Sequence, residues 1–186
     1  NEGFVHVVGD GCVILKYIDG TIISYVYEWQ DNRPYYLMYS GEDLGSFIAN
    51  HRKNDKGTES LMIKKISIDP DGNTTTDITY VPIDKVFEGH VIPLTKEMIT
   101  DKLESITICS DGITDFKQDK IAVPVEEVIQ KVVAFKTAKG DLVKRRLTRI
   151  LLDYVKQNVF PADDVAVATI CINQPLKTND HDTDTR

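Results

Sequence analysis

The chain has 186 residues, of which 41% are hydrophobic and 27% charged, with a formal net charge of −7. That length favours one domain whose core needs no disulfide, and the composition excludes collagen, coiled coil and wholesale disorder. No apolar run approaches the ~20 residues that cross a bilayer, and the acidic balance offers no basic field for phosphates, so neither a membrane nor nucleic acid is expected as a partner.

The chain opens in a strand, Phe4 to Val8, turns at Gly9-Asp10-Gly11, and runs on as a second strand from Cys12 to Tyr17. Asp19-Gly20 is strong hairpin chemistry, and the β-branched and aromatic run Thr21 to Trp29 follows as a third strand. Asn32-Arg33-Pro34 predicts another turn into the run Tyr35 to Tyr39. Gly41 to Lys56 is polar, with a short helix expected over Leu44 to Asn50. Leu61 to Asp69 and Thr74 to Val81 read as two strands around Pro70-Asp71-Gly72-Asn73, with a further strand over Val86 to Leu94. Leu103 to Cys109 is a strand entering the turn Ser110-Asp111-Gly112.

Two helices follow. Val125, Val128, Ile129, Val132 and Val133 recur at helical spacing after Pro124, a residue suited to a helix start. The second helix opens near Gly140-Asp141, carries Val143, Leu147, Ile150, Leu151, Tyr154 and Val155 on one face, and is expected to end at Phe160-Pro161. Asp163 to Ile172 closes the domain as a buried strand. Residues 173–186 are a polar tail expected to be disordered, leaving residues 1–172, which open mid-sheet and are expected to be the C-terminal part of a domain. Many strands with helices late in the sequence indicate an α+β layered domain.

Cys12, Cys109 and Cys171 are odd in number, lie in apolar runs and form no zinc spacing with the four histidines. A cysteine phosphatase loop needs Arg six positions after Cys, where Cys109 has Asp115, so Cys109 reads as a core residue. The run Asp69 to Asp77 lacks the Gly and Glu positions of an EF-hand and reads as a hairpin turn. Gly9-Asp10-Gly11 precedes a strand rather than a helix, which excludes a dinucleotide loop. The positive run Lys144 to Arg149 reads as a solvated helix face, with docking of an acidic partner as its functional alternative.

Chemistry is expected at two strand ends. Asp111 stands beside a glycine after one buried strand, and Asp163-Asp164 stand just before another. If these strands are neighbours, their carboxylates converge at one sheet edge, which is how an oxygen-ligand Mg²⁺ or Mn²⁺ site is built.

The run Ile106 to Phe116, the two helices and Asp163 to Ile170, taken in that order, resemble the metal-dependent protein phosphatases of the 2C type in a bacterial-like form. Val5 to Leu15 looks like the same family's strand-turn-strand, with Gly11 where Ser is usual. The resemblance implies a β-sandwich of mainly antiparallel sheets flanked by helices, with two metal ions, Mn²⁺ or Mg²⁺, activating a water against phosphoserine and phosphothreonine esters. It implies Asp111 and Asp163 as metal ligands, Asp164 and Asp115 as further metal or supporting positions, and Asp10 as a structural turn residue. No side chain is implied as the nucleophile. A phosphorylated protein would be the substrate and the cytoplasm, in a signalling role, the setting. The family's earlier acidic strand, its Asp-Gly-x-Gly turn and its phosphate-binding arginine have no counterpart in this sequence. Two expectations follow: a parent enzyme completed by an N-terminal segment, or a non-catalytic pseudophosphatase acting as a sensing or protein-binding module. A generic interaction domain with coincidental Asp turns is the third reading.

Overall fold

A computed structural model describes residues 2–29, 45–46, 49, 59–137 and 139–173. The expected turn at Asn32-Arg33-Pro34, the strand after it, and the tail past Asn173 lie outside these residues, as does most of the expected helix over Leu44 to Asn50.

Eleven strands are described: β1 (Gly3–Val7), β2 (Gly11–Tyr17), β3 (Ile22–Trp29), β4 (Glu59–Ile68), β5 (Thr74–Pro82), β6 (His90–Leu94), β7 (Leu103–Cys109), β8 (Phe116–Gln118), β9 (Ile121–Ala122), β10 (Val159–Pro161) and β11 (Val167–Cys171). Two helices, α1 (Val125–Val132) and α2 (Leu142–Val155), lie late in the chain. Six strands form one sheet in the order β11-β7-β2-β3-β4-β5; β1 pairs β6, and β10, β8 and β9 form a small third sheet. Every pairing is antiparallel. The result is a mixed α+β fold of several antiparallel sheets and helices.

The period-2 alternation of β2 sorts its side chains to two cores. Cys12 and Ile14 join Val26, Ile66, Ile68, Phe116, Val128, Ile129, Ile150 and Tyr154 under the helices. Val13 and Leu15 face the other way, among Tyr27, Trp29, Leu61, Ile63, Ile92, Leu94 and Leu103. A strand buried on both faces must be apolar throughout, which is why Cys12 to Leu15 carries no polar residue. Helices cover one face of the central sheet, and β1 with β6 covers the other. That second layer is two strands wide among the described residues, so it does not close a full sandwich over the six-stranded sheet.

The helices form for the reasons their pattern gives. In α1, Glu126 and Glu127 sit in the first turn and Lys131 in the last, each favourable to the helix dipole, and Lys131 pairs with Glu127 at 2.6 Å. α2 stops earlier than Phe160-Pro161: its last residue is Val155, and Asn158 then adopts φ 56° and swings the chain into β10. Asn tolerates that left-handed geometry better than most residues. The strand expected over Val86 to Leu94 is divided, with a 3₁₀ turn at Val86–Glu88 and Gly89 preceding β6. Asp69, expected as turn chemistry, accepts bonds from the backbone N–H groups of Asp71 and Asn73 and from the Asn73 side chain. That closes the β4–β5 hairpin.

In the second core the Tyr27 hydroxyl lies 2.7 Å from His90 Nδ1, with the Tyr25 and Tyr27 rings 5.5 and 5.7 Å from the imidazole. Burial lowers the His90 pKa from its ordinary value, so the neutral ring, accepting the tyrosine proton, is the form that folding selects. Below the ordinary histidine pKa the unfolded chain binds the proton first, so this contribution is complete above about pH 7 and is lost as pH falls toward the depressed folded value. Urea midpoints measured at about pH 7.5 and about pH 5.5 should therefore fall more for the parent than for His90→Gln. Equal falls would show that His90 is not linked to folding.

Candidate functional site

The two Asp-bearing turns meet. Cys109 is in register with Cys12 on one side and Val167 on the other, so Ser110-Asp111-Gly112, the β1–β2 turn with Asp10, and Ala162 to Ala166 gather at one end of the central sheet. Ser110 ties this end together. Its backbone N–H donates to Ala166 O at 3.0 Å, and its Oγ donates to Asp164 O at 2.8 Å while accepting from Ala166 N at 2.9 Å. Gly112 completes the contact: a Cβ there would lie 2.4 Å from Asp164 O, so only a residue without a side chain lets the two turns close.

The carboxylates are employed locally. Asp163 Oδ1 accepts the Asp164 backbone N–H at 2.7 Å, an Asx-type contact within its own turn. Asp115 pairs with Lys117 at 2.8 Å, and its carbonyl accepts from Ala162 N at 2.8 Å. Asp111 is exposed, and its carbonyl takes the Thr114 hydroxyl at 2.7 Å. Asp163 and Asp164 are exposed and Asp10 is half-buried.

This geometry corrects the metal-dependent phosphatase reading. Among the described residues there is no group of three or more His, Cys, Asp or Glu side chains able to hold a metal ion. The strand ends converge, yet the carboxylates do not form a shared oxygen cage, because they are held by their own turns or face solvent. The expected Mn²⁺ or Mg²⁺ pair, the metal-activated water, and the expectation of a metal-binding hydrolase are therefore not upheld. A hard divalent cation requires several oxygens converging on one point.

Cys12 and Cys109 are likewise not poised as nucleophiles. Cys12 and Cys109 are buried cross-strand neighbours; burial pushes the Cys109 thiol up to about 12 and holds Cys12 well above its ordinary value. Among the described residues no helix is long and apolar enough to cross a membrane.

Removing the Ser110 hydroxyl tests the clasp. Ser110→Ala loses one donor and one acceptor and should cost about 1–2 kcal/mol in chemical unfolding. Asp111→Ala, an exposed neighbour, should stay within about 0.5 kcal/mol of the parent. Equal effects would show that the Ser110 hydroxyl does not hold the two turns together.

Compared with family models, with curated proteins and with solved structures, the chain matches none.

Proposed function

We propose that this chain is a non-catalytic module on a type 2C phosphatase-like scaffold that senses or binds another protein. The observation that carries the reading is the clasp at the sheet end. The Ser-Asp-Gly and Asp-Asp turns, which the resemblance implies as metal-binding, join two strands through Ser110, Gly112 and the Asp164 carbonyl. Such a turn retains its sequence pattern for packing without gathering a cation. The order of the three motifs supports the scaffold, and the two cores, one under helices and one under β1 and β6, support a layered arrangement of that kind.

The test is hydrolysis of a phosphothreonine peptide by the full chain with Mn²⁺ in excess, beside Asp111→Ala. The expected result is no metal-dependent turnover in either protein, with both folded. Mn²⁺-dependent turnover that disappears in Asp111→Ala would overturn the reading.

A further inference from the structure

The helix α2 carries a charge opposite to that of the chain. Between residues 141 and 156 stand five cations, Lys144, Arg145, Arg146, Arg149 and Lys156, against Asp141 and Asp153, in a protein whose net charge is −7. Arg145, Arg149 and Lys156 lie with Thr148 and Leu152 at i, i+4, i+11, i+3 and i+7, so they share one helical stripe. All five are exposed, Leu152 to 57%. A groove of about 590 Å³ runs along this stripe, with Lys144 and the carboxylates of Asp141 and Asp153 also on its lining. Lys156 pairs with Asp153 at 3.4 Å, so among the described residues the groove's unpaired positive charge is carried by Lys144, Arg145 and Arg149.

At its N-terminal end the stripe borders a second hollow of about 220 Å³, between the segment after α1 and the start of α2. Ala134, Phe135 and Leu142 give it apolar walls, and Arg145, Arg146 and Arg149 line it with charge. Two of these arginines are tied in place by backbone carbonyls: Arg146 Nε donates to Lys131 O, and Arg145 Nη2 to Lys139 O at 2.6 Å. None of the three forms an ion pair with a carboxylate among the described residues. Burial, and then the neighbouring charge of Arg149, lowers the pKa of Arg146, opposed by Asp153. With three guanidinium groups lining one hollow, an incoming anion would relieve their mutual repulsion.

We propose that the stripe on α2 and the adjoining hollow form a docking site for an acidic segment of a partner protein, with one apolar residue of that segment seated in the hollow. Charge complementarity selects the carboxylates, and fixed guanidinium forks suit them. The apolar walls select the anchor, since a side chain desolvated in a small hollow carries more of the binding than its rim. A lipid surface is the poorer occupant. A helix that lies on a bilayer turns its apolar face to the lipid, whereas α2 buries Ile150 and Tyr154 in the protein core. The inference deepens the protein-binding reading by naming the partner's chemistry. It rests on different residues from the sheet-end clasp, so each can fail alone.

The experiment uses the full chain and a short fluorescein-labelled peptide of glutamates and aspartates with one central phenylalanine, read by anisotropy. Binding should weaken with salt. It should also fall at least about tenfold in R145E/R149E, and again when the phenylalanine becomes alanine. Both arginines are exposed, and an unchanged thermal melt of the double variant would show that its fold is intact. Should that variant fail to fold, Arg149→Gln alone supplies the same comparison. No binding, binding unaffected by the charge reversal, or binding indifferent to the phenylalanine would overturn the proposal. So would preferential capture by phosphatidylserine vesicles over the peptide. Metal-dependent turnover with intact peptide binding would remove the non-catalytic reading and leave this site standing.

Discussion

Gly11→Ala should destabilise the fold by about 3–5 kcal/mol, among the largest single-residue effects in the chain. Two costs fall on one position. Gly11 holds φ 113°, a conformation that L side chains rarely adopt, and a Cβ there would lie 2.5 Å from the Cys109 carbonyl oxygen. That oxygen is backbone in the central strand β7, so it cannot swing aside as a flexible side chain would. Relief requires moving β2 away from β7 at the point where Cys12 and Cys109 are in register, which disturbs packing on both faces of the sheet. Gly72→Ala supplies the comparison. Gly72 has φ 88° but open space around its Cα, so only the backbone penalty of about 1 kcal/mol or slightly more applies. Chemical unfolding of the two variants separates strain from collision. A Gly11→Ala loss no greater than that of Gly72→Ala would show that β2 and β7 yield freely.

What is legible in the sequence follows from which patterns carry physical information. β2, β3, β4, β5 and β7 are long, apolar or alternating, and bounded by Gly, Asp and Pro; their residues announce them. The two helices are legible from one apolar stripe each, although in α2 only Ile150 and Tyr154 of the expected face are buried and Val155 is exposed. The small β10-β8-β9 sheet is not, because strands of two or three residues have too little pattern to read. Its hairpin also turns on Asp119 and Lys120, at φ 48° and 75°, instead of the expected Asn-Gly or Asp-Gly. The end of α2 escapes for a related reason: Phe160-Pro161 looks like a helix stop, whereas Asn158 performs the turn before it.

At the candidate site, spacing places Asp111 and Asp163 at the ends of two strands, and the strands are indeed paired. Spacing does not say where the carboxylates point. A cation site depends on angstrom-scale convergence of oxygens, and in this fold the Asp164 N–H and Lys117 each claim a carboxylate first. The three arginines pose the converse case. The run Lys144 to Arg149 reads as a solvated face, since sequence shows neither the hollow beside Phe135 nor the carbonyls that fix Arg145 and Arg146.

Phe116→Ala should cost about 3–5 kcal/mol, and Phe116→Leu about 1–1.5 kcal/mol. Phe116 follows the Ser-Asp-Gly turn by a few residues and is fully buried, its ring 5.2 Å from that of Tyr154 on α2. It belongs to the core that contains Val128 and Ile129 of α1 and Ile150 of α2, so the deletion opens a cavity where the helices meet the sheet. The consequence reaches the surface through geometry. α2 presents Arg145, Arg149 and Leu152 outward only because Ile150 and Tyr154 are seated inward, and Tyr154 is seated on Phe116. Under conditions where Phe116→Ala remains folded, acidic-peptide binding should weaken, and Phe116→Leu should restore most of both stability and binding. A Phe116→Ala protein that unfolds within about 1 kcal/mol of the parent would show that the core collapses around the gap. One that loses stability yet binds the peptide normally would show that the orientation of α2 is set by its other contacts.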